Sequence, residues 1–391
     1  MNRRHFLALG IASSISIAAR GEEKKFRVGV IGHTGRGNYG HGLDTMWAQI
    51  SETEIVGVAD ADAAGLAAAH GKLGGIPAFH EYSLMLAETK PDIVAVAPRF
   101  VDEHHDMILA AIEAGARGIY VEKPFCRTPA EADEIIAACE KRNVKLAIAH
   151  RNRYHPAFAT VASLVKGGAI GRLLELRGRG KEDDRGGSLD LWVLGAHVMN
   201  MIHFFGGKPV DCSATVLQDG RPVTRADVQD GAEGTGPLAG NEVHARFEME
   251  RGIPAFFESV QKAGVKSAGF GLQLIGTGGI IDLRCDSEPV AHIRLGNPFQ
   301  PAAEPRAWTP ISTAGIGKPE PIENLGKLVS SHAVAGRDLI AAIREDRAPL
   351  CSASEGRIIV EMISAVFESH RLGGQRVTFP LKTRKNPLSL L

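Results

Sequence analysis

Five short apolar runs rich in β-branched residues recur along the first 150 residues, separated by segments of helical or turn-forming composition. Residues 26–31, 54–59, 92–97, 118–121 and 145–149 read as strands, while 104–114 and 129–142, rich in Ala, Ile and Glu, read as helices. Parallel strands need a crossover of about a dozen residues, so this alternation restricts the segment to a doubly wound α/β sheet. Pro129 is expected in the first turn of its helix, with Thr128 as the cap.

Past Arg151 the texture changes. A helix over 156–166, a strand over 173–178 and a strongly apolar helix over 189–205 are followed by strand candidates at 210–217, 242–249, 255–261, 272–275 and 280–283. Consecutive strands with few helices between them predict a large, mostly antiparallel open sheet. Segments 219–240 and 296–326, rich in Gly, Pro and polar residues, read as long loops, which in a compact domain are often functional. Helices are expected at 332–344 and 354–369. The domains are then residues 26–150 and 151–391, preceded by a leader over 1–25.

The leader carries Asn2-Arg3-Arg4-His5-Phe6-Leu7 before an apolar run through Ala19. It resembles a twin-arginine export signal, with cleavage near Ala18 or Ala19 and a periplasmic destination. The run is too short for an ordinary membrane span, and no cysteine near its end offers a lipid anchor. Lys plus Arg and Asp plus Glu both number 45, a zero balance that lacks the basic footprint of a nucleic-acid binder. The five cysteines are scattered without metal spacing, and no H-E-x-x-H occurs, so buried thiols and no metal are expected.

Five motifs carry chemistry. Gly32-His33-Thr34-Gly35-Arg36-Gly37 follows the first strand in the order G-x-x-G-x-G. Glycines there let backbone N–H groups approach a pyrophosphate. Asp60 ends the second strand, where a carboxylate accepts both ribose hydroxyls and repels a 2′-phosphate. NAD is thereby favoured over NADP. Asp62 competes for that role, against a plain helix cap. Glu122-Lys123-Pro124 ends the run over 118–121. Beside a cationic nicotinamide the Lys123 ammonium is disfavoured, which suits it to exchange a proton with a substrate hydroxyl. Arg151-Asn152-Arg153-Tyr154-His155-Pro156 marks the domain junction, with Arg153 a candidate for substrate hydroxyl or carboxylate groups. On a helix, Asp190, Val193, His197 and Asn200 share a face behind the glycine pair 186–187. His197 is then a candidate acid–base partner of Lys123, against a hydrogen-bonded core histidine. His104 and His105 read as surface residues at a helix start.

Together the Gly32 turn, Asp60, Pro98 with His104, Glu122-Lys123-Pro124, Arg153 with Pro156 and the Gly-rich segment before His197 resemble the glucose–fructose oxidoreductase/inositol dehydrogenase/MocA (Gfo/Idh/MocA) family. The resemblance implies a Rossmann domain followed by an α/β domain with an open sheet through which oligomers form. It also implies catalytic roles for Lys123 and His197. Two departures stand out. The family's aspartate four residues before the histidine is Val193 here, and the acidic residue three after it is Asn200. The 98–104 segment also carries two extra residues.

The expected function is oxidoreduction at a secondary alcohol of a sugar or cyclitol. Outside the cytoplasm no NAD pool recharges a released cofactor, so NAD is expected to be tightly held. That arrangement equally permits a redox-neutral glycosidase or lyase working through a transient keto-sugar. A non-catalytic sugar- or nucleotide-binding protein is the third reading, and Val193 is its best support.

Overall fold

The computed structural model describes residues 24–264 and 270–391. Most of the expected export signal lies outside the described residues. No helix among the described residues is long and apolar enough to cross a membrane.

The first domain is a six-stranded sheet of β1 (Phe26–Ile31), β2 (Thr53–Ala59), β3 (Ala78–Phe79), β4 (Ile93–Val96), β5 (Gly118–Val121) and β6 (Lys145–Ile148), in the order β3-β2-β1-β4-β5-β6. Every pairing is parallel. The order reverses between β1 and β4, and doubly wound sheets bind ligands beyond the carboxyl strand ends at such a point. β4 and β5 are buried along their whole length because helices cover both faces. The connecting helices are α1 (Ala63–Lys72), α2 (Tyr82–Thr89), α3 (His104–Glu113) and α4 (Pro129–Arg142). Thr128 caps α4 by accepting from the Glu131 N–H at 3.2 Å, with Pro129 in the first turn.

No α-helix follows β1. Turns lead to a single 3-10 turn over Met46–Gln49 before β2 begins. The glycine-rich turn therefore has no helix N-terminus behind it, and the N–H groups of residues 32–36 are taken up within the protein, by Ala59, Asn38, Asp60 and His33.

The second domain contains α5 (Ala157–Lys166), β7 (Leu173–Arg179), α6 (Ser188–Val193), α7 (Gly195–Gly206), β8 (Pro209–Gln218), β9 (Arg221–Pro222), β10 (Gln229–Gly231) and β11 (Gly236–Leu238). Then come β12 (Glu242–Met249), β13 (Pro254–Val260), β14 (Gly271–Gly276), β15 (Gly279–Arg284), β16 (Ala291–Leu295), β17 (Thr309–Ser312) and β18 (Gly315–Ile316). The chain closes with α8 (Leu325–Ser330), α9 (Ala333–Glu345), α10 (Ala353–Arg371) and β19 (Val377–Thr378). The large sheet runs β18-β17-β16-β15-β14-β7-β13-β12-β8-β19, with β9 on β8. It is antiparallel except where β7 meets β13. Alternate residues of β12 and β13 are buried, so one face is core and the other is mostly polar, with Phe256 and Val260 among its charged residues. The five cysteines are buried and unpaired.

Three expectations are corrected. The helix predicted over 189–205 breaks at Leu194, which lies outside helical geometry at φ −121° and ψ −39°. The loop predicted over 219–240 contains the hairpin β10–β11, and that over 296–326 contains β17 and β18. Finally, α9 leaves the second domain: its Leu339 and Ile340 are buried in one cluster with Val28, Trp47 and Tyr120 of the first.

Candidate active site

The carboxyl ends of β1, β2, β4, β5 and β6 place Gly32, Asp60, Pro98, Glu122 with Lys123, and His150 along one edge. Gly32 sits under Tyr39, whose ring would lie 2.2 Å from an added Cβ. Gly35 is exposed, with φ +86° and nothing within 4 Å of where a Cβ would stand. No side chain shields the turn there, which leaves room for a dinucleotide, while the Gly35 N–H donates to Asn38 Oδ1 at 3.1 Å. Gly37, at φ +90°, lets the turn pass the backbone of Arg99, 2.6 Å from its absent Cβ.

Asp60 is buried and accepts from the Thr34 N–H at 3.0 Å, the Thr34 hydroxyl at 2.7 Å and the Asp62 N–H at 3.0 Å. Through these bonds it latches the glycine turn. Asp62 is the cap of α1, accepting from Gly65 at 2.7 Å. Arg36 pairs with Asp102 at 2.6 Å and Glu103 at 2.8 Å, residues of the lengthened 98–104 segment. His104 is buried, not at the surface: its ring joins the carbonyls of Pro98, at 2.7 Å, and Pro124, at 2.9 Å, and so fixes the ends of β4 and β5. His105 is the more exposed of the two, against Asp106 and Glu134.

Glu122 is fully buried. It accepts from the His41 N–H at 3.0 Å and the Lys123 N–H at 2.8 Å, and meets the His41 ring at 2.5 Å. Burial disfavours its charge, but the hydrogen bond and charge of His41, with Lys123 behind them, hold its pKa down to about 2. Lys123 is 7% exposed and donates through Nζ to the carbonyl of Val193 at 2.8 Å. The helix break creates that acceptor. In a continuous helix the Val193 carbonyl would bond to the His197 N–H, which here turns to Leu194 at 3.0 Å instead. Burial lowers the pKa of Lys123, partly offset by Glu122.

His197 lies in the first turn of α7, buried, with Nδ1 lacking a hydrogen-bond partner. Burial, then the neighbouring His150 and Lys123, push its pKa far below that of a free imidazole. His150 was missed in the sequence. It is 1% exposed, neither ring nitrogen has a partner, and its ring packs edge-on to His197 with centroids 5.2 Å apart. Burial and Lys123 hold its pKa at about 3. A signal for it existed: like Lys123, it is a polar residue two positions beyond a buried parallel strand. Buried polar groups ordinarily find partners, so three orphaned ring nitrogens beside one buried amine mark a place built for a ligand.

The remaining candidates divide. Asn200 shares the α7 face of His197, with Oδ1 unpartnered and Nδ2 donating to Glu355 at 3.4 Å. Arg153 is buried over the Phe204 ring at 3.5 Å, with Nε unpartnered. Asp190 does not join them. It accepts from the Ser259 hydroxyl at 2.6 Å and the Glu182 N–H at 3.0 Å, which ties α6 to β13. The break at Leu194 removes it from the helical face it was expected to share with His197.

Residues 26–150 match the oxidoreductase family with an NAD-binding Rossmann fold, Gfo/Idh/MocA. D-Apiose dehydrogenase of Paraburkholderia graminis is 34% identical over 125 residues, covering 32% of this chain and 33% of that protein. That match spans a third of the relative's length. Levoglucosan dehydrogenase of Pseudarthrobacter phenanthrenivorans is 24% identical over 304 residues, covering 68% of this chain and 75% of that one. Among solved structures, a levoglucosan dehydrogenase complex with NADH and levoglucosan superposes with a TM-score of 0.72 at 21% identity, over 91% of this chain and 100% of that one. An Agrobacterium radiobacter oxidoreductase in complex with NAD+, L-tartaric acid and magnesium gives 0.68 at 15% identity, over 91% and 98%. At these identities the structures establish the fold. Residues 26–150 are thus similar to the NAD-binding Rossmann domain of the Gfo/Idh/MocA oxidoreductase family.

Proposed function

We propose that the chain oxidises a secondary alcohol of a sugar or cyclitol, with Lys123 and His197 carrying the hydroxyl proton. The observation behind this reading is the Lys123 amine, buried at the end of β5 and held at 2.8 Å to the broken helix that presents His197. The turn over residues 32–37, Asp60 and Glu122 would hold NAD, which supplies the hydride acceptor. Lys123 orients the substrate hydroxyl and takes its proton, and His197 accepts or returns a proton from the opposite wall. The sugar dehydrogenases among the relatives support the substrate class. Asp60, buried at the end of β2, supports NAD over NADP. Arg153 and Asn200 are proposed to line the substrate side. The Arg3-Arg4 motif and its apolar run support export, hence a cofactor retained and regenerated within one cycle. The polar open face of the large sheet supports a homo-oligomer.

The test is an absorbance assay of nicotinamide reduction over free sugars, inositols and anhydrosugars, levoglucosan included. Wild type reduces NAD+ with at least one of them, and Lys123→Met does not. Equal turnover by the two proteins would refute the assignment.

A further inference from the structure

The glycine turn offers few free donors to the pyrophosphate of a dinucleotide. No helix begins behind it, and the N–H groups of residues 32–36 are bonded within the protein. Its cations are committed as well. Arg36 lies between Asp102 and Glu103 and over the Phe100 ring at 4.4 Å, and His33 meets Glu103 at 2.7 Å. Further along the edge, His41 is held by Glu122 and Lys123 by the Val193 carbonyl. Arg99 apart, the turn and its neighbours set Asp60, Asp102 and Glu103 against Arg36 and His33, and so offer a phosphate no net attraction.

Two donors remain. Among the described residues the Gly37 N–H has no acceptor, and the half-buried Arg99 guanidinium has no hydrogen bond, ion pair or stacked ring. They are neighbours: a Cβ on Gly37 would stand 2.6 Å from the Arg99 backbone nitrogen, so only glycine lets the turn meet this residue. Arg99 follows Pro98 in the lengthened 98–104 segment beyond β4, where the strand order reverses. Its charge also reaches the other end of the edge. Burial lowers the pKa of Lys123, against Glu122 and Glu233, and the charges of Arg185 and Arg99 add to the lowering. Arg185 is already paired with Asp183, so Arg99 is the uncommitted one. A half-buried guanidinium without a partner forgoes hydrogen bonds that a ligand can supply.

We propose that Arg99, together with the Gly37 N–H, holds the pyrophosphate of the dinucleotide in place of the helix N-terminus that this turn lacks. The inference rests on the reading of this edge as an NAD site. A planar guanidinium donates parallel N–H groups to phosphate oxygens and keeps its charge at any working pH. Arg99 is a binding group, with no part in proton or hydride transfer.

The experiment is calorimetric titration of the full chain, stripped of nucleotide, with NAD+, with ADP-ribose and with a panel of sugar acids. Arg99→Gln should raise the Kd of both nucleotides by about 10- to 100-fold. ADP-ribose lacks the nicotinamide, so an equal loss for the two separates a pyrophosphate contact from one to the ring. Arg99→Lys, which keeps the charge, should recover part of the affinity, and added salt should weaken wild type more steeply than Arg99→Gln. Without nucleotide the melting temperature of Arg99→Gln should stay within about 1 °C of wild type, because the guanidinium holds nothing in the protein. A large drop would show a structural role and overturn the proposal. So would an Arg99→Gln protein that binds both nucleotides as wild type does but loses a sugar acid, which would assign Arg99 to a substrate carboxylate. Equal nucleotide affinities in wild type and Arg99→Gln overturn the role of Arg99 and leave the NAD reading standing. Wild type that binds neither nucleotide overturns both.

Discussion

Lys123 owes its place to a backbone carbonyl. The Val193 oxygen is free to receive it only because the His197 N–H bonds to Leu194, so one irregular residue sets both members of the proposed proton pair. Position 193 is a buried valine, and the lysine is anchored to its carbonyl without a carboxylate on that side. Lys123→Met should lower kcat by about 10²–10⁴-fold with the melting temperature little changed, which stopped-flow and thermal unfolding would check. Burial lowers the Lys123 pKa, and the base form serves oxidation. Rates of alcohol oxidation should therefore rise with pH through a group titrating below a free lysine, while carbonyl reduction falls over the same interval. A profile that rises only at the pH of a free lysine would contradict the assignment. Glu122 behaves oppositely. Its folded pKa, about 2, is depressed, so its stabilising contribution is complete above the range of a free carboxylate and is lost as pH falls through about 2. Glu122→Gln should cost about 1.5–3 kcal/mol at neutral pH, the range for hydrogen bonds to a charged group, and progressively less in acid. Urea unfolding across that pH series measures it.

The parallel strands were legible because both their faces are covered, which leaves unmistakable apolar runs such as Ile93–Val96 and Gly118–Val121. The edge strand β3 was not, because two residues carry no periodicity. Thr128 and Pro129 announced α4 through backbone chemistry local to the sequence. The break at Leu194 had a weaker mark: leucine favours helices, only Gly195 behind it does not, and the Val193 carbonyl that the break frees is taken up by Lys123 from another domain. The same holds for Asp190, whose helical spacing pointed to His197 while tertiary packing gave it to Ser259 and Glu182. Spacing is blind to burial, which is why His104 read as a surface residue. Nor could periodicity tell that α9 covers the first domain, since an apolar stripe does not name its partner. Leu339 is fully buried there beside Ile340. Leu339→Ala should cost about 2–5 kcal/mol, and a 24–150 fragment, deprived of that cover, should not unfold cooperatively. A fragment with a sharp, reversible melt would show the first domain to be self-sufficient.

The site exists only where distant parts of the chain meet. Lys123 of the first domain is bound to Val193 of the second, Arg151 pairs with Asp286 at 2.9 Å, and Asn152 accepts from the Asp286 N–H at 2.9 Å. The β10–β11 hairpin also reaches the first domain: a Cβ on its Gly234 would stand 2.1 Å from Asp102, the acid that holds Arg36 of the glycine turn. A dinucleotide along this edge would touch the turn, Asp60 and the junction together, so its binding should stabilise the whole molecule. A ligand at a hundred times its Kd adds about 2.7 kcal/mol, roughly 3–4 °C for a protein of this size. Protein stripped of cofactor should gain that much from NAD+ and markedly less from NADP+, because Asp60 repels the 2′-phosphate. Asp60→Ser should narrow the difference by removing that charge. If the cofactor is retained through export, protein recovered from the periplasm and denatured should release about one NAD per chain by mass spectrometry, and free NAD+ should raise its melting temperature only after stripping. Protein that yields no NAD on denaturation and melts at one temperature with or without NAD+ would refute cofactor retention. Equal stabilisation by NAD+ and NADP+ would refute only the role given to Asp60.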